Sequence, residues 1–92
     1  MLFRSFLIGN VTEILDGETF RMAVARVRGR NIHRYENEER IQIKRLRLHD
    51  VAWMTGVFTK PKLERMFKGK QVLCRVNSRD RGGRIEADVQ LI

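Results

Sequence analysis

The sequence predicts a single small all-β barrel with one helix, and three observations lead to this class. Four segments alternate apolar and polar residues at the period of two that half-buried strands require, and a fifth is rich in β-branched and apolar residues; one short segment has helical spacing; and one strand changes its apolar phase midway. The chain has 92 residues, a length that suits one hydrophobic core but not two. We therefore expect one domain over residues 1–92.

The first two strands are predicted on either side of a tight turn. Residues 6–15 are rich in β-branched and apolar side chains, and Gly9-Asn10 within them indicates a bend or bulge. Asp16-Gly17 is a strong hairpin dipeptide because it tolerates positive φ. Residues 18–28 form the second strand. Its predicted inner face is Phe20, Met22 and Val24.

The third strand, residues 40–48, follows a polar stretch over 32–39 that we expect to be a protruding loop. Its apolar residues occupy odd positions in the first half of the strand and even positions in the second. A regular strand would expose half of them, so the phase change predicts a bulge near Lys44-Arg45. The residues concerned are Ile41, Ile43, Leu46 and Leu48.

A helix is predicted at about residues 60–68. Thr59 can cap it, Pro61 fits its first turn and Gly69 fits the left-handed position that ends many helices. An apolar stripe at i, i+3 and i+4 spacing indicates that one face plugs the core. The stripe consists of Leu63, Met66 and Phe67.

Two strands, residues 71–77 and 84–91, complete the chain around a Gly-rich turn at 78–83. Cys74 alternates inward in the first of them, whereas Glu86, Asp88 and Gln90 are expected to face outward in the second. A helix between the third and fourth strands is the signature of the OB fold, so we expect a five-stranded OB-fold barrel. Periodicity alone leaves an SH3-like barrel or a small α+β sheet open.

The charge of the chain favours a polyanionic partner. Nineteen Lys and Arg against eleven Asp and Glu give a formal net charge of +8, and a domain this basic is a candidate for nucleic-acid binding. The apolar stretches are shorter than a signal peptide or a membrane-spanning helix requires. Because there is one cysteine, no internal disulfide can form, and we expect a reducing, cytoplasmic setting without a membrane partner.

Three segments share an order with a known family. Residues 11–20 end in the turn Asp16-Gly17-Glu18-Thr19, residues 45–50 read RLRLHD, and residues 80–84 read DRGGR after the helix exit and fourth strand. Together they resemble the thermonuclease (staphylococcal-nuclease-like) family. The resemblance covers residues 8–91, and the C-terminal helices of that family have no counterpart here.

The resemblance implies an OB barrel that hydrolyses DNA or RNA phosphodiesters with calcium. By position it implies that Arg45 and Arg84 clamp the scissile phosphate, a role that suits the planar guanidinium fork. It also implies Glu18 and Asp50 as calcium carboxylates, with Asp16 close by in the turn, since calcium takes several hard oxygen ligands.

Two departures from the family pattern indicate lost catalysis. The family continues after its aspartate with Thr-Pro-Glu, but residues 51–53 read Val-Ala-Trp. Trp53 therefore replaces the glutamate that serves the attacking water, and an indole cannot accept a proton; losing a general base costs a factor of about 10²–10⁴ in rate. Glu18 is one methylene longer than the family's first metal aspartate. The acidic residues at 36, 38 and 39 are an alternative source of a carboxylate, although a solvated acidic loop is the simpler interpretation.

The leading hypothesis is a nucleic-acid-binding OB-fold module with a degenerate nuclease site. An active calcium-dependent nuclease and a protein-interaction domain, including a homodimer, are the alternatives. The sequence does not separate DNA from RNA as the ligand. The predicted nucleic-acid-binding residues are Arg26, Arg28, Arg30, Arg34, Tyr35, Lys44, Arg45, Trp53 and Arg84.

Overall fold

The structure, a computed structural model, describes residues 5–29, 35–48, 53–54 and 58–92. The strands form a closed barrel in the order β1-β2-β3-β5-β4, with β3 parallel to β5 and the other pairs antiparallel. With its helix between β3 and β4, this is the five-stranded OB-fold barrel that the sequence predicted. The elements are β1 (Phe6–Ile14), β2 (Thr19–Arg28), β3 (Glu38–Leu48), α1 (Lys60–Phe67), β4 (Gln71–Arg79) and β5 (Ile85–Leu91).

Two bulges bend the strands where the sequence indicated them. The register of β3 against β5 shifts between Ile43 and Arg45, and that of β1 against β2 shifts between Ile8 and Gly9. A Cβ at Gly9 would lie 2.0 Å from the carbonyl oxygen of Ala23. Glycine is therefore required there because the backbone of β2 approaches so closely.

Helix α1 begins and ends as predicted. The Thr59 hydroxyl accepts a hydrogen bond from the Lys62 amide at 3.3 Å, and Gly69 has a φ of 77°. Leu63 and Phe67 are fully buried, so the helix closes one end of the barrel with the apolar face that the spacing predicted.

The core consists of the inward residues of all five strands together with the helix. Cys74 is fully buried and is therefore a small core residue, as predicted. Burial raises the pKa of its thiol. Val24, also predicted to face inward, is partly buried against the core, as are Val76 and Leu91. The described residues contain no helix long and apolar enough to cross a membrane.

Three local expectations were wrong. Strand β3 begins at Glu38, two residues before the predicted start. Gly17 is not among the glycines with positive φ; it is needed because a Cβ there would lie 2.0 Å from the carbonyl oxygen of Phe58. Asp88 points away from the core but is only 3% exposed, because Arg45 and Arg75 cover it.

Candidate nucleic-acid interface

The β1–β2 turn carries two of the predicted calcium ligands. Asp16 Oδ1 accepts hydrogen bonds from the amides of Glu18 at 2.7 Å and Thr19 at 2.8 Å, so this carboxylate orders the turn. Glu18 is exposed, and Asp50 lies outside the described residues. Calcium takes about 6–8 oxygen ligands, and the described residues contain no group of three or more acidic, His or Cys side chains that could hold a metal. The turn carboxylates alone do not make a calcium cage.

Arg84 and Asp16 line one cleft of about 260 Å³, together with Thr19, Arg40 and Asp80. Arg84 Nε donates to Asp80 Oδ2 at 3.1 Å, and its backbone amide donates to Asp80 Oδ1 at 2.9 Å. The backbone hydrogen bond, followed by the side-chain one, lowers the pKa of Asp80. Asp16 and Arg84, which the resemblance assigns to one site, thus line the same cleft. The resemblance did not identify Arg40, whose guanidinium donates to the carbonyl of Gly82.

Arg45 belongs to a different cluster, which is built around Asp88. Arg45 and Arg75 each donate to Asp88 Oδ2 at 2.7 Å, and Asn77 Nδ2 donates to Asp88 Oδ1 at 3.3 Å. The hydrogen bond from Arg45 does most to hold the pKa of Asp88 far below its usual range, although burial opposes it. Arg45 is therefore committed to a carboxylate, and the two arginines of the implied phosphate clamp lie in separate clusters.

Trp53 lies beside this cluster rather than in the cleft that Arg84 lines. The Arg45 guanidinium carbon is 4.9 Å from the centroid of the Trp53 ring, and that of Arg47 is 5.9 Å from it. Both distances fall within the range of cation–π contacts. The indole is half-buried, and two guanidinium groups hold it against the outer face of β3.

The acidic residues around the start of β3 include a buried carboxylate. Glu39 is 5% exposed and accepts two hydrogen bonds from Arg79, at 3.2 and 2.9 Å. The Glu36 amide donates to the same carboxylate, and the Arg79 guanidinium carbon lies 5.6 Å from the ring centroid of Tyr35. Glu39 is thus neither solvated nor a free base, and Tyr35 is stacked on an arginine.

Outward-facing residues of all five strands form two adjacent cross-strand rows, which we call the outer belt. The first row is Arg45, Asp88, Arg75, Phe6 and Arg28, and the second is Arg47, Gln90, Leu73, Ile8 and Arg26. Each row crosses four inter-strand steps, a path of roughly 19 Å at about 4.8 Å a step. Because the barrel is closed, this path runs around the barrel and not across a single face. The belt holds five arginines and one aspartate. Its net charge of +4 is half the formal charge of +8 of the whole chain.

Two of the five arginines of the belt are exposed, and the other three are half-buried. Arg26 and Arg28 are exposed and form no ion pair with another described residue. Lys44, also predicted to bind nucleic acid, lies 3.7 Å from Glu86, while Arg30 and Arg34 lie outside the described residues. The sequence missed Arg75, Phe6, Ile8 and Leu73, because only the register of β4 against β1 and β5 places them beside the predicted arginines.

Comparisons with known proteins add no relative. The chain matches no protein-family model, no curated protein and no solved structure. The resemblance to the thermonuclease family therefore stays a prediction.

Proposed function

We propose that this domain binds single-stranded nucleic acid through the outer belt. The observation that supports the proposal is the net charge of +4 on ten neighbouring outward positions. Phosphate neutralisation by arginine and lysine supplies most non-specific nucleic-acid affinity. OB barrels that bind single strands combine such a basic track with apolar or aromatic side chains, and the belt contains both.

The alternative location, the cleft beside the β1–β2 turn, has no such excess of charge. Two arginines, Arg40 and Arg84, line this cleft together with two carboxylates. The carboxylates belong to Asp16 and Asp80. A polyanion gains little there, because the two arginines and two aspartates of the lining cancel in charge and Arg84 is already paired with Asp80 at 3.1 Å. The belt is the better surface for a phosphate backbone.

The proposal predicts binding that weakens steeply with salt. With four net positive charges and a single-strand slope of about −0.7 per contact, affinity should fall roughly 50-fold between about 50 and 200 mM salt. Replacing both Arg26 and Arg28 with alanine should make the slope shallower by about 1.4 and weaken binding at low salt. Fluorescence anisotropy with a labelled oligothymidylate measures both quantities.

A matched control removes two exposed cations outside the belt. Lys60 and Lys62 lie on α1, are exposed and, among the described residues, form no ion pair. Replacing both with alanine lowers the net charge as much as the Arg26/Arg28 pair does, but it should leave binding nearly unchanged. The proposal fails if anisotropy stays flat at low salt, or if the two double variants behave alike.

One observation favours a second candidate, phosphodiester cleavage in the cleft. Thr19 lines the cleft beside Arg40 and Arg84, and its buried hydroxyl has no hydrogen-bond partner among the described residues. A buried hydroxyl without a partner is costly unless something else satisfies it, and a phosphate oxygen in the cleft would do so once the side chains that cover this hydroxyl move aside. Incubating denatured DNA with the protein and calcium or manganese tests this candidate. Cleavage that Arg84→Ala abolishes would support it, and intact DNA would rule it out.

A further inference from the structure

We propose that an apolar depression in the outer belt is a stacking site for an unpaired nucleobase, an inference that rests on the proposed function. The depression has a volume of about 440 Å³ and is lined by Phe6, Ile8, Leu73, Arg28 and Gly29. It gives the belt a second chemical character, because the arginines recognise phosphate whereas this surface suits the flat face of a base. The belt would thereby distinguish single strands from duplexes.

Strand register places the three apolar side chains together and brackets them with arginine. Ile8 is paired with Leu73 on one side and with Arg26 on the other. Phe6 is paired with Arg75 and Arg28 in the same way. The apolar floor is therefore continuous across β1 and β4, with guanidinium groups at its margins.

The alternation of β1 and β4 shows that this floor faces outward. Leu7 and Cys74, the neighbours of opposite phase, are fully buried in the core, whereas Phe6, Ile8 and Leu73 are half-buried. These three residues are not needed to fill the barrel. These side chains, an aromatic ring and two aliphatic groups, remain partly in contact with water. A ligand that covers them removes apolar surface from water, which lowers the free energy of the complex.

The positive charge at the margin of the depression favours a nucleotide as its ligand. Arg28 lines the depression and Arg26 adjoins it, and neither forms an ion pair with another described residue. A purely apolar partner would have to desolvate the region around these cations without compensating them. A nucleotide supplies a base for the floor and a phosphate for the margin, and stacking on an aromatic side chain tolerates any base.

The decisive experiment compares two single strands that differ in their bases but not in their charge, and adds a duplex as a third ligand. The intact chain is titrated with a labelled oligothymidylate, an abasic deoxyribose-phosphate strand of equal length and a duplex of that length. One stacked base should make the oligothymidylate bind roughly 5- to 150-fold more tightly than the abasic strand. The duplex should bind less tightly than the oligothymidylate, because its bases are already stacked and only its backbone is available.

Conservative variants of Phe6 separate stacking from folding. Phe6→Leu keeps an apolar side chain at this half-buried position but removes the aromatic face, so it should lower oligothymidylate affinity several-fold and leave abasic-strand affinity unchanged. Phe6→Trp should restore the preference for bases. Ile92→Ala, which trims an apolar residue that is 56% exposed, is the control. Thermal melting by circular dichroism shows whether each variant remains folded.

The outcomes distinguish this inference from the function on which it rests. Equal affinity for oligothymidylate and abasic strand, with both weakened by the Arg26/Arg28 double variant, would overturn the stacking site and leave nucleic-acid binding intact. Failure of every strand to bind would overturn both proposals. A dimer in light scattering that Phe6→Leu dissociates, and that oligothymidylate does not, would assign the depression to a second copy of the chain and overturn the stacking site.

Discussion

Replacing Asp88 with alanine should lower the free energy of unfolding by about 2–4 kcal/mol. The Asp88 carboxylate is 3% exposed and accepts charge-assisted hydrogen bonds from Arg45 and Arg75, so its loss leaves two guanidinium groups facing each other without the anion between them. The arginines are 37% and 36% exposed and can turn toward water, which limits the loss. In a chain of this size the melting temperature should fall by roughly 10–25 °C.

The same carboxylate predicts the acid sensitivity of the barrel. Folding holds the pKa of Asp88 below its ordinary value of 3.8, so its stabilising contribution is complete above that value and is lost progressively as the pH falls below it. Chemical denaturation at neutral and acidic pH should show wild type and Asp88→Asn converging as the pH falls below about 4.

Glu86→Ala is the control for Asp88. Glu86 lies on the same strand and makes one surface ion pair, at 3.7 Å, with Lys44, and such pairs contribute about 0–1 kcal/mol. Equal losses of stability at positions 86 and 88 would contradict the interpretation of Asp88 as the centre of a buried cluster.

The second large effect is expected from Gly9→Ala, which should destabilise the barrel by about 1–3 kcal/mol or more. The added methyl group would lie 2.0 Å from the Ala23 carbonyl oxygen and 3.0 Å from the end of the Met22 side chain. The first of these atoms belongs to the backbone of β2, so the two strands would have to move apart at the bulge. Urea unfolding gives the change in midpoint.

Gly82→Ala is the matched control for Gly9. A Cβ at Gly82 would meet no atom closer than 3.4 Å, and that atom belongs to the Asp80 side chain. Its φ is not positive, so we expect a change within about 0.5 kcal/mol. Similar destabilisation at both positions would show that glycine-specific backbone freedom, rather than the close approach of β2, accounts for Gly9.

The sequence predicted the elements well because their signals are local. The period of two, the cap at Thr59 and the phase change around Lys44-Arg45 each involve residues within a few positions of one another. Strand order and register are not local, and so the partnership of Asp88 with Arg45 and Arg75 could not be read from alternation. Alternation correctly pointed Asp88 away from the core but could not show that neighbouring strands would bury it.

The candidate site was predicted less completely for the same reason. Arg26, Arg28 and Arg45 were identified by charge, but Phe6 and Leu73 looked like ordinary strand residues until β1 and β4 were paired. The resemblance placed Asp16 with Arg84 because both lie in turns whose motifs are continuous in sequence. It could not place Arg45, whose partner is 43 residues away along the chain.

The parallel pairing of β3 with β5 has a kinetic consequence. These strands are separated by α1 and β4, so closing the barrel requires a long loop closure, whereas the hairpin pairs β1–β2 and β4–β5 can form early. The Arg45–Asp88 contact joins the two parallel strands and would form near the end of that sequence. Removing this ion pair should then raise the unfolding rate more than it lowers the folding rate. The Arg45–Asp88 pair would therefore slow spontaneous unfolding and contribute little to the folding nucleus.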